Sequence, residues 1–251
     1  MTERELLALY AVRCGGDWVR TAKAIREGNQ PEESEIRRKY ITILDQNYPE
    51  CFRKLRYPPW VLFYEGNIAL LRKEKITVVG SRELTEYGRE MTRAVSEILR
   101  DRYVIVSGLA KGADAEAHRT AMNGGYTIGV IGSGLDTHYP KCNEPLYEEM
   151  RRNHLILSEY PDGIGVEKYH FPWRNRLLAA LGNALIVTQA EIASGTMHTV
   201  NEAIALSKDI WCVPYRIGEP GGSGCDKLIG EGAYILYDLC QLKEGRFFCR
   251  Y

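Results

Sequence analysis

Residues 76–134 read ITVVGSRELTEYGREMTRAVSEILRDRYVIVSGLAKGADAEAHRTAMNGGYTIGVIGSG. Three apolar runs, Ile76–Val79, Tyr103–Val106 and Tyr126–Ile131, alternate with two stretches of helical spacing. Several of the chain's apolar runs, Tyr103–Val106 among them, are apolar at consecutive positions, the pattern of strands buried on both faces of a parallel sheet. In Glu86–Arg100 the apolar side chains fall at Tyr87, Met91, Ala94, Val95, Ile98 and Leu99, which is one stripe of a helix. Asp114–Asn123 reads similarly. Strand, loop and helix repeated in this way predict a doubly wound α/β fold.

The same grammar continues downstream. His154–Leu157, Ala184–Val187, Ile210–Val213 and Tyr234–Tyr237 read as further strands, and Asn143–Asn153 and Thr196–Lys208 as helices. Upstream the character changes. Residues 1–40 are rich in charge and read as two or three short helices punctuated by Gly15-Gly16 and Gly28-Asn29-Gln30-Pro31. Residues 41–70 form a bridging segment whose Tyr48-Pro49 and Tyr57-Pro58-Pro59 are hostile to helix. The expected organisation is a small helical segment (1–40), the bridge (41–70), an α/β domain (71–240) and a short tail (241–251).

The chain has 251 residues, with 33 Lys+Arg against 33 Asp+Glu, so its formal net charge is zero. That balance argues against a histone-like nucleic-acid binder and a polybasic membrane-surface protein. A hydrophobic content of 45% excludes disorder driven by low hydrophobicity. The seven cysteines, at 14, 51, 142, 212, 225, 240 and 249, contain no C-x-x-C pair, so zinc-ribbon and thioredoxin readings fail. They read as free thiols of a reducing compartment. The N-terminus lacks a signal-peptide core, and no run approaches the ~18 apolar residues of a membrane span. A cytoplasmic protein is expected.

The unusual residues follow strand ends. Gly80-Ser81-Arg82, Ser107-Gly108-Leu109-Ala110-Lys111-Gly112-Ala113-Asp114, Gly132-Ser133-Gly134-Leu135-Asp136 and Ser194-Gly195-Thr196 each follow an apolar run or close the loop after one. In a parallel sheet these loops gather at the carboxyl edge, where open α/β folds bind ligands. Glycines let backbone N–H groups approach a ligand, and the following helices offer positive N-termini. With Arg82 and Lys111 present, the chemistry that fits is phosphate binding. Neither G-x-x-x-x-G-K-[ST] nor G-x-G-x-x-G occurs, which disfavours a P-loop ATPase and a standard dinucleotide site.

A second constellation is Lys168-Tyr169-His170-Phe171-Pro172-Trp173-Arg174-Asn175-Arg176. Cations interleaved with rings suit single-stranded nucleic acid, the cations tracking phosphates while the rings stack on bases. It reads equally as a surface loop whose aromatics dock on the core and whose arginines pair with acids. Catalytic readings fare worse. Asp114 and His118 share a helix face, but an N-cap Asp above a packed His is the simpler account. No H-E-x-x-H metal spacing and no G-x-S-x-G nucleophile elbow occurs. Glu159, at a strand end, suits either a ribose or base-edge contact or a helix cap.

The ordered motifs resemble the DNA processing protein A family (DprA, also called Smf). They are Val79-Gly80-Ser81-Arg82, Ser107-Gly108-Leu109-Ala110-x-Gly112-x-Asp114-x-x-Ala117-His118, Gly132-x-Gly134-Leu135-Asp136-x-x-Tyr139-Pro140-x-x-Asn143, Ser158-Glu159-Tyr160-Pro161, Phe171-Pro172-x-Arg174-Asn175-Arg176, Ser194-Gly195-Thr196-x-x-Thr199 and Gly224-Cys225-x-x-Leu228-Ile229-x-x-Gly232-Ala233. The resemblance spans residues 40–238. It implies an extended Rossmann-like, mostly parallel sheet that binds single-stranded DNA. It also implies protection of incoming strands in natural transformation and help in loading the RecA recombinase, by a non-enzymatic homodimer with no cofactor or metal. Carried over by motif, Gly80, Ser81, Arg82, the Ser107–Gly112 loop with Asp114, Lys141, Asn143, Phe171, Arg174, Asn175, Arg176 and Ser194-Gly195-Thr196 form the DNA- and phosphate-binding set. Family members often carry Glu at the position of Gln189, Pro-Gly at Pro214-Tyr215 and Asn at Asp226. Residues 1–40 correspond loosely to a helical N-terminal module, and the winged-helix-like C-terminal domain of many members is not expected here. The alternative is a nucleotide-binding enzyme resembling the Rossmann-like nucleoside-monophosphate phosphoribohydrolases, of which Ser194-Gly195-Thr196 with Glu202 is a partial echo. The neutral total then predicts a positive strand-end pocket on an otherwise mixed surface.

Overall fold

The structure is a computed structural model that describes residues 1–28, 31–32 and 35–243. The consecutive apolar runs form β3 (Lys75–Val79), β4 (Val104–Ser107), β5 (Thr127–Ile131), β6 (Leu155–Ser158), β7 (Ala184–Val187), β8 (Asp209–Cys212) and β9 (Tyr234–Ile235). All seven pair in parallel, for example Val79 beside Val187 and Ser107 beside Gly129. Two further strands, β1 (Lys39–Thr42) and β2 (Val61–Gly66), lie in and next to the segment read as a bridge. They extend the sheet antiparallel beyond β6, giving the order β1-β2-β6-β5-β4-β3-β7-β8-β9.

Helices cover both faces. On one face Ile76, Val78 and Ile105 pack against Val95 and Leu99 of α4 (Glu86–Leu99) and Ala117 and Ala121 of α5 (Ala113–Met122). On the other, Val104, Val106, Ile128 and Val130 meet Leu177, Leu178 and Leu181 of α7 (His170–Leu181). Burying each such side chain contributes about 1.5–3 kcal/mol. On that face β7 and β8 are covered by α8 (Thr196–Ala205) and α9 (Ser223–Gly230). The short α3 (Glu50–Arg53) adds Phe52 to the α7 side, and α10 (Cys240–Lys243) adds Leu242 to the α4 side.

The N-terminal residues dock on the sheet. In α1 (Glu3–Arg13), Leu7, Ala8 and Ala11 pack with Phe63, Ile156 and residues of α6 (Glu144–Asn153). A Thr2–Glu5 capping box starts α1, and Asp17 caps α2 (Trp18–Glu27), which ends at Gly28 in the left-handed region. The sequence order reverses between β3 and β7. From β3 the chain winds one way through β4, β5 and β6, then returns to β7 on the other side. Such a switch point leaves a crevice outside the strands' carboxyl ends.

Candidate functional site

The crevice is present as a cleft of about 760 Å³. The loop after β3 contributes Gly80, Ser81 and Arg82, and the β4–α5 loop Ala110 and Asp114. Helix α7 contributes Phe171, Arg174 and Asn175, and the start of α8 adds Ser194, Gly195 and Thr196. Distant strand ends therefore converge, because parallel strands all point their carboxyl ends one way.

The β4–α5 loop is locked from several sides. The Asp114 carboxylate accepts from the Gly108 and Ala110 amides at 3.2 and 3.3 Å. The Asn143 side-chain amide donates to the Leu109 and Ala110 carbonyls at 2.9 and 3.0 Å. Arg174 donates through Nη1 to the Gly108 carbonyl at 2.7 Å and to that of Val130. Ser107 pins the end of β4 by donating to the Val78 carbonyl at 2.7 Å. Gly112 has φ +72° and its α-carbon lies against the Ser81 and Arg82 carbonyls, so a side chain there meets both a disfavoured backbone and a clash. Burial raises the Asp114 carboxyl, which Arg174 opposes, and lowers the Arg174 guanidinium, which Asp114 opposes. Ser107, Gly108, Leu109 and Asn143 are buried, so they shape the cleft from behind.

Arg82 differs. It is exposed, and its guanidinium carbon lies 5.4 Å above the Phe171 ring, whose neighbour at 5.7 Å is Tyr139. An exposed cation over a ring offers a phosphate contact beside a stacking face. Lys168 lines the cleft as well, whereas Lys111 and Lys141 are exposed outside its lining. The positive strand-end pocket expected from the sequence has a mixed lining. Arg82, Lys168 and Arg174 share the lining with Glu83, Asp114 and Glu191.

Arg176 does not join this cleft. It makes a two-pronged ion pair with Glu159 at 2.7 and 2.6 Å, and both side chains are about 95% buried. Glu159 thus neither caps a helix nor stands free for a ligand. Burial raises its carboxyl, and Arg176 opposes the rise. The segment 168–176 is largely helix, since α7 begins at His170. Pro172 sits in the first turn, where its missing N–H is not needed. Asp114 and His118 form no acid–base pair: Asp114 is spent on the loop, and buried His118 bonds Thr127 through Nδ1 at 2.7 Å.

The start of α8 carries no side-chain cap; the Met197 and His198 amides donate to the Ser194 and Gly195 carbonyls at 3.1 and 3.3 Å, and the positive end of the helix macrodipole faces the cleft. Thr196 ties this end to the β3 loop by donating to the Gly80 carbonyl at 3.0 Å. A brace absent from the predicted set is Gln189. Its Oε1 accepts from the Thr85 amide and hydroxyl at 3.0 and 3.1 Å, while its Nε2 donates to the Glu83 carbonyl at 3.0 Å. A carboxylate could make only the first two bonds. Departures at 215 and 226 also meet, the Tyr215 amide donating to Asp226 at 3.0 Å. Among the described residues, His138, Glu144 and Glu148 are close enough to hold a cation, but Arg151 already bonds His138 and Glu148, and none of the three lines the cleft. No described helix is long and apolar enough to cross a membrane.

Residues 39–245 match the profile of the DNA recombination-mediator protein A family. DNA processing protein DprA of Streptococcus pneumoniae is 43% identical over 197 residues, covering 78% of this chain and 70% of that protein. The Bacillus subtilis protein of the same name is 38% identical over 207 residues, covering 81% and 70%. The crystal structure of the S. pneumoniae protein superposes with a TM-score of 0.81 at 37% identity, covering 93% of this chain and 79% of that one. The Helicobacter pylori DNA processing protein A, in a structure concerned with its single-stranded DNA binding mode, gives 0.76 at 30% identity, covering 85% and 98%. With the motifs in order and the switch-point cleft built from them, this chain belongs to the DNA recombination-mediator protein A family.

Proposed function

We propose that this chain binds single-stranded DNA in the switch-point cleft and acts as a recombination mediator without catalysing a reaction. The observation that carries the reading is exposed Arg82 over the Phe171 ring at the mouth of a cleft whose backbone is locked. Arg82 and Lys168 hold the phosphates, the positive end of α8 adds to the attraction, and Phe171 takes a base on its face. Arg174 and Asn143 act indirectly by fixing the Ser107–Gly112 loop. Protection of incoming strands, help in loading RecA, work as a homodimer and a cytoplasmic location are supported by family membership alone.

Fluorescence-anisotropy titration with single-stranded and duplex oligonucleotides at several salt concentrations tests the reading. Single strands are expected to bind tighter, with log affinity falling linearly against log salt. Arg82→Ala should weaken oligonucleotides of different sequence alike and reduce the salt slope by about one. Equal affinity for both forms, or binding indifferent to salt and to Arg82→Ala, would overturn it. Release of free base from nucleoside monophosphates would overturn the non-enzymatic part.

A further inference from the structure

The Lys168–Arg176 constellation is shared between two cavities. Residues three apart share a helix face, so within α7 Phe171 and Arg174 line the first cleft while Trp173 and Arg176 line a second; just before the helix Lys168 joins the first and Tyr169 the second, with Pro172 bordering both. The second cavity, about 770 Å³, lies between α7, the turn before α2 and the loop around Tyr57. Its size is within the ~300–1,000 Å³ of small-ligand sites. Its walls are preformed. Trp18 packs against Tyr57 at 5.0 Å, and Tyr57 against Trp173 at 5.4 Å. The Trp18 indole N–H donates to the Pro58 carbonyl at 2.7 Å, which fixes the start of α2 to that loop.

Each face of the constellation repeats one chemistry, rings beside cations. In the second cavity Tyr169 is 67% exposed at the rim. Arg176 lies 4.4 Å from the centre of the Trp173 ring. Its Nε, left over from the fork with Glu159, has no hydrogen-bond partner among the described residues. Exposed Arg20 and Arg56 stand at the same wall.

We propose that the second cavity is a further nucleotide subsite, in which a single strand leaving the first cleft crosses Pro172 and places its next bases against Tyr169 and Trp173. The inference rests on the reading of the first cleft as a single-stranded DNA site. The exposed Tyr169 ring, with the half-buried Trp173 ring in the same cavity, suits unpaired bases of any sequence, and the exposed arginines suit the phosphates between them. The strand is the favoured occupant because Pro172 lines both cavities and each sets rings beside cations, with Asp17, Glu167 and Glu202 in the second as Glu83, Asp114 and Glu191 are in the first.

The test compares oligothymidylates of about 4 and about 16 nucleotides, the range of single-strand site sizes. Tyr169→Ala and Trp173→Leu should each weaken the long oligonucleotide roughly five-fold or more while leaving the short one unchanged. Trp173→Phe should restore most of the loss, and unfolding midpoints should show that the variants remain folded. In the unaltered protein, photocrosslinking to a halogenated-uracil oligonucleotide should mark Trp18, Tyr57, Tyr169 or Trp173. Arg82→Ala should weaken both lengths. If Arg82→Ala weakens both but Tyr169→Ala and Trp173→Leu weaken neither, with crosslinks confined to the first cleft, the second subsite is wrong and the first stands. The cavity would then suit a partner protein's side chain. If Arg82→Ala also has no effect, the reading of the first cleft fails too.

Discussion

The loops after β3 and β4 meet in one cleft but are built oppositely. The β4–α5 loop is buried at Gly108 and Leu109 and held by Asp114, Asn143 and Arg174. The β3 loop leaves Arg82 exposed above Phe171. The same division separates the arginines. Arg174 and Arg176 have their guanidiniums occupied by carbonyls and by Glu159, whereas Arg82 keeps its charge for the solvent side. A cation inside a family motif can therefore be part of the frame or part of the grip, and burial decides which.

The strongest blow to this contrast would come from Arg176→Ala. It should cost about 3–5 kcal/mol, because Glu159 is left buried without its partner. Urea unfolding measures it, and the double variant Arg176→Met with Glu159→Leu should recover most of the loss. A cost near zero for the single variant would mean that the pair is not buried in solution. Asn143→Ala comes next. Two carbonyls lose their donor, so about 1–3 kcal/mol should disappear, and oligonucleotide affinity should fall with it as the loop loosens.

A smaller effect separates frame from grip by pH. Burial holds the His118 imidazole neutral, with its pKa pushed down to about 3 from the ordinary 6.5. Between those values the unfolded chain binds a proton that the folded protein refuses, so stability falls as pH drops below 6.5. Unfolding midpoints at pH ~7.5 and ~5.5 should differ by roughly 1 kcal/mol more in the unaltered protein than in His118→Asn. A difference unchanged by the variant would assign the pH dependence to other groups, of which His154 and His170 are also lowered by burial. The least effect on stability is expected from Arg82→Ala, about 0.5 kcal/mol or less, although it should be the variant that loses single strands. A large loss of stability there would place Arg82 in the frame and erase the contrast.

Six of the seven parallel strands were legible because strands covered on both faces carry consecutive apolar residues, and exposed β9, at the sheet edge, from the short run Tyr234–Tyr237. β1 and β2 were not, since they flank a proline-rich stretch and reveal themselves only by pairing with each other and, through β2, with β6. Helix α7 was hidden by Pro172, which looks like a breaker until the helix start is known. The glycine loops were readable as site material, but the brace at Gln189 was not, because its Glu83 carbonyl lies 106 residues away.

Periodicity, glycine placement and motif order belong to the chain alone, and they determined a doubly wound α/β fold, the gathering of glycine loops at the strand ends and the family. The work of each charged residue was decided only in the folded protein. Arg174, Arg176 and Arg82 are the same side chain in sequence, and desolvation separates them. A buried guanidinium must spend its donors on carbonyls or a carboxylate, while an exposed one keeps them for a ligand. Which of these happens depends on partners such as Glu159 and Gly108, brought into contact by the sheet topology and not by proximity along the chain.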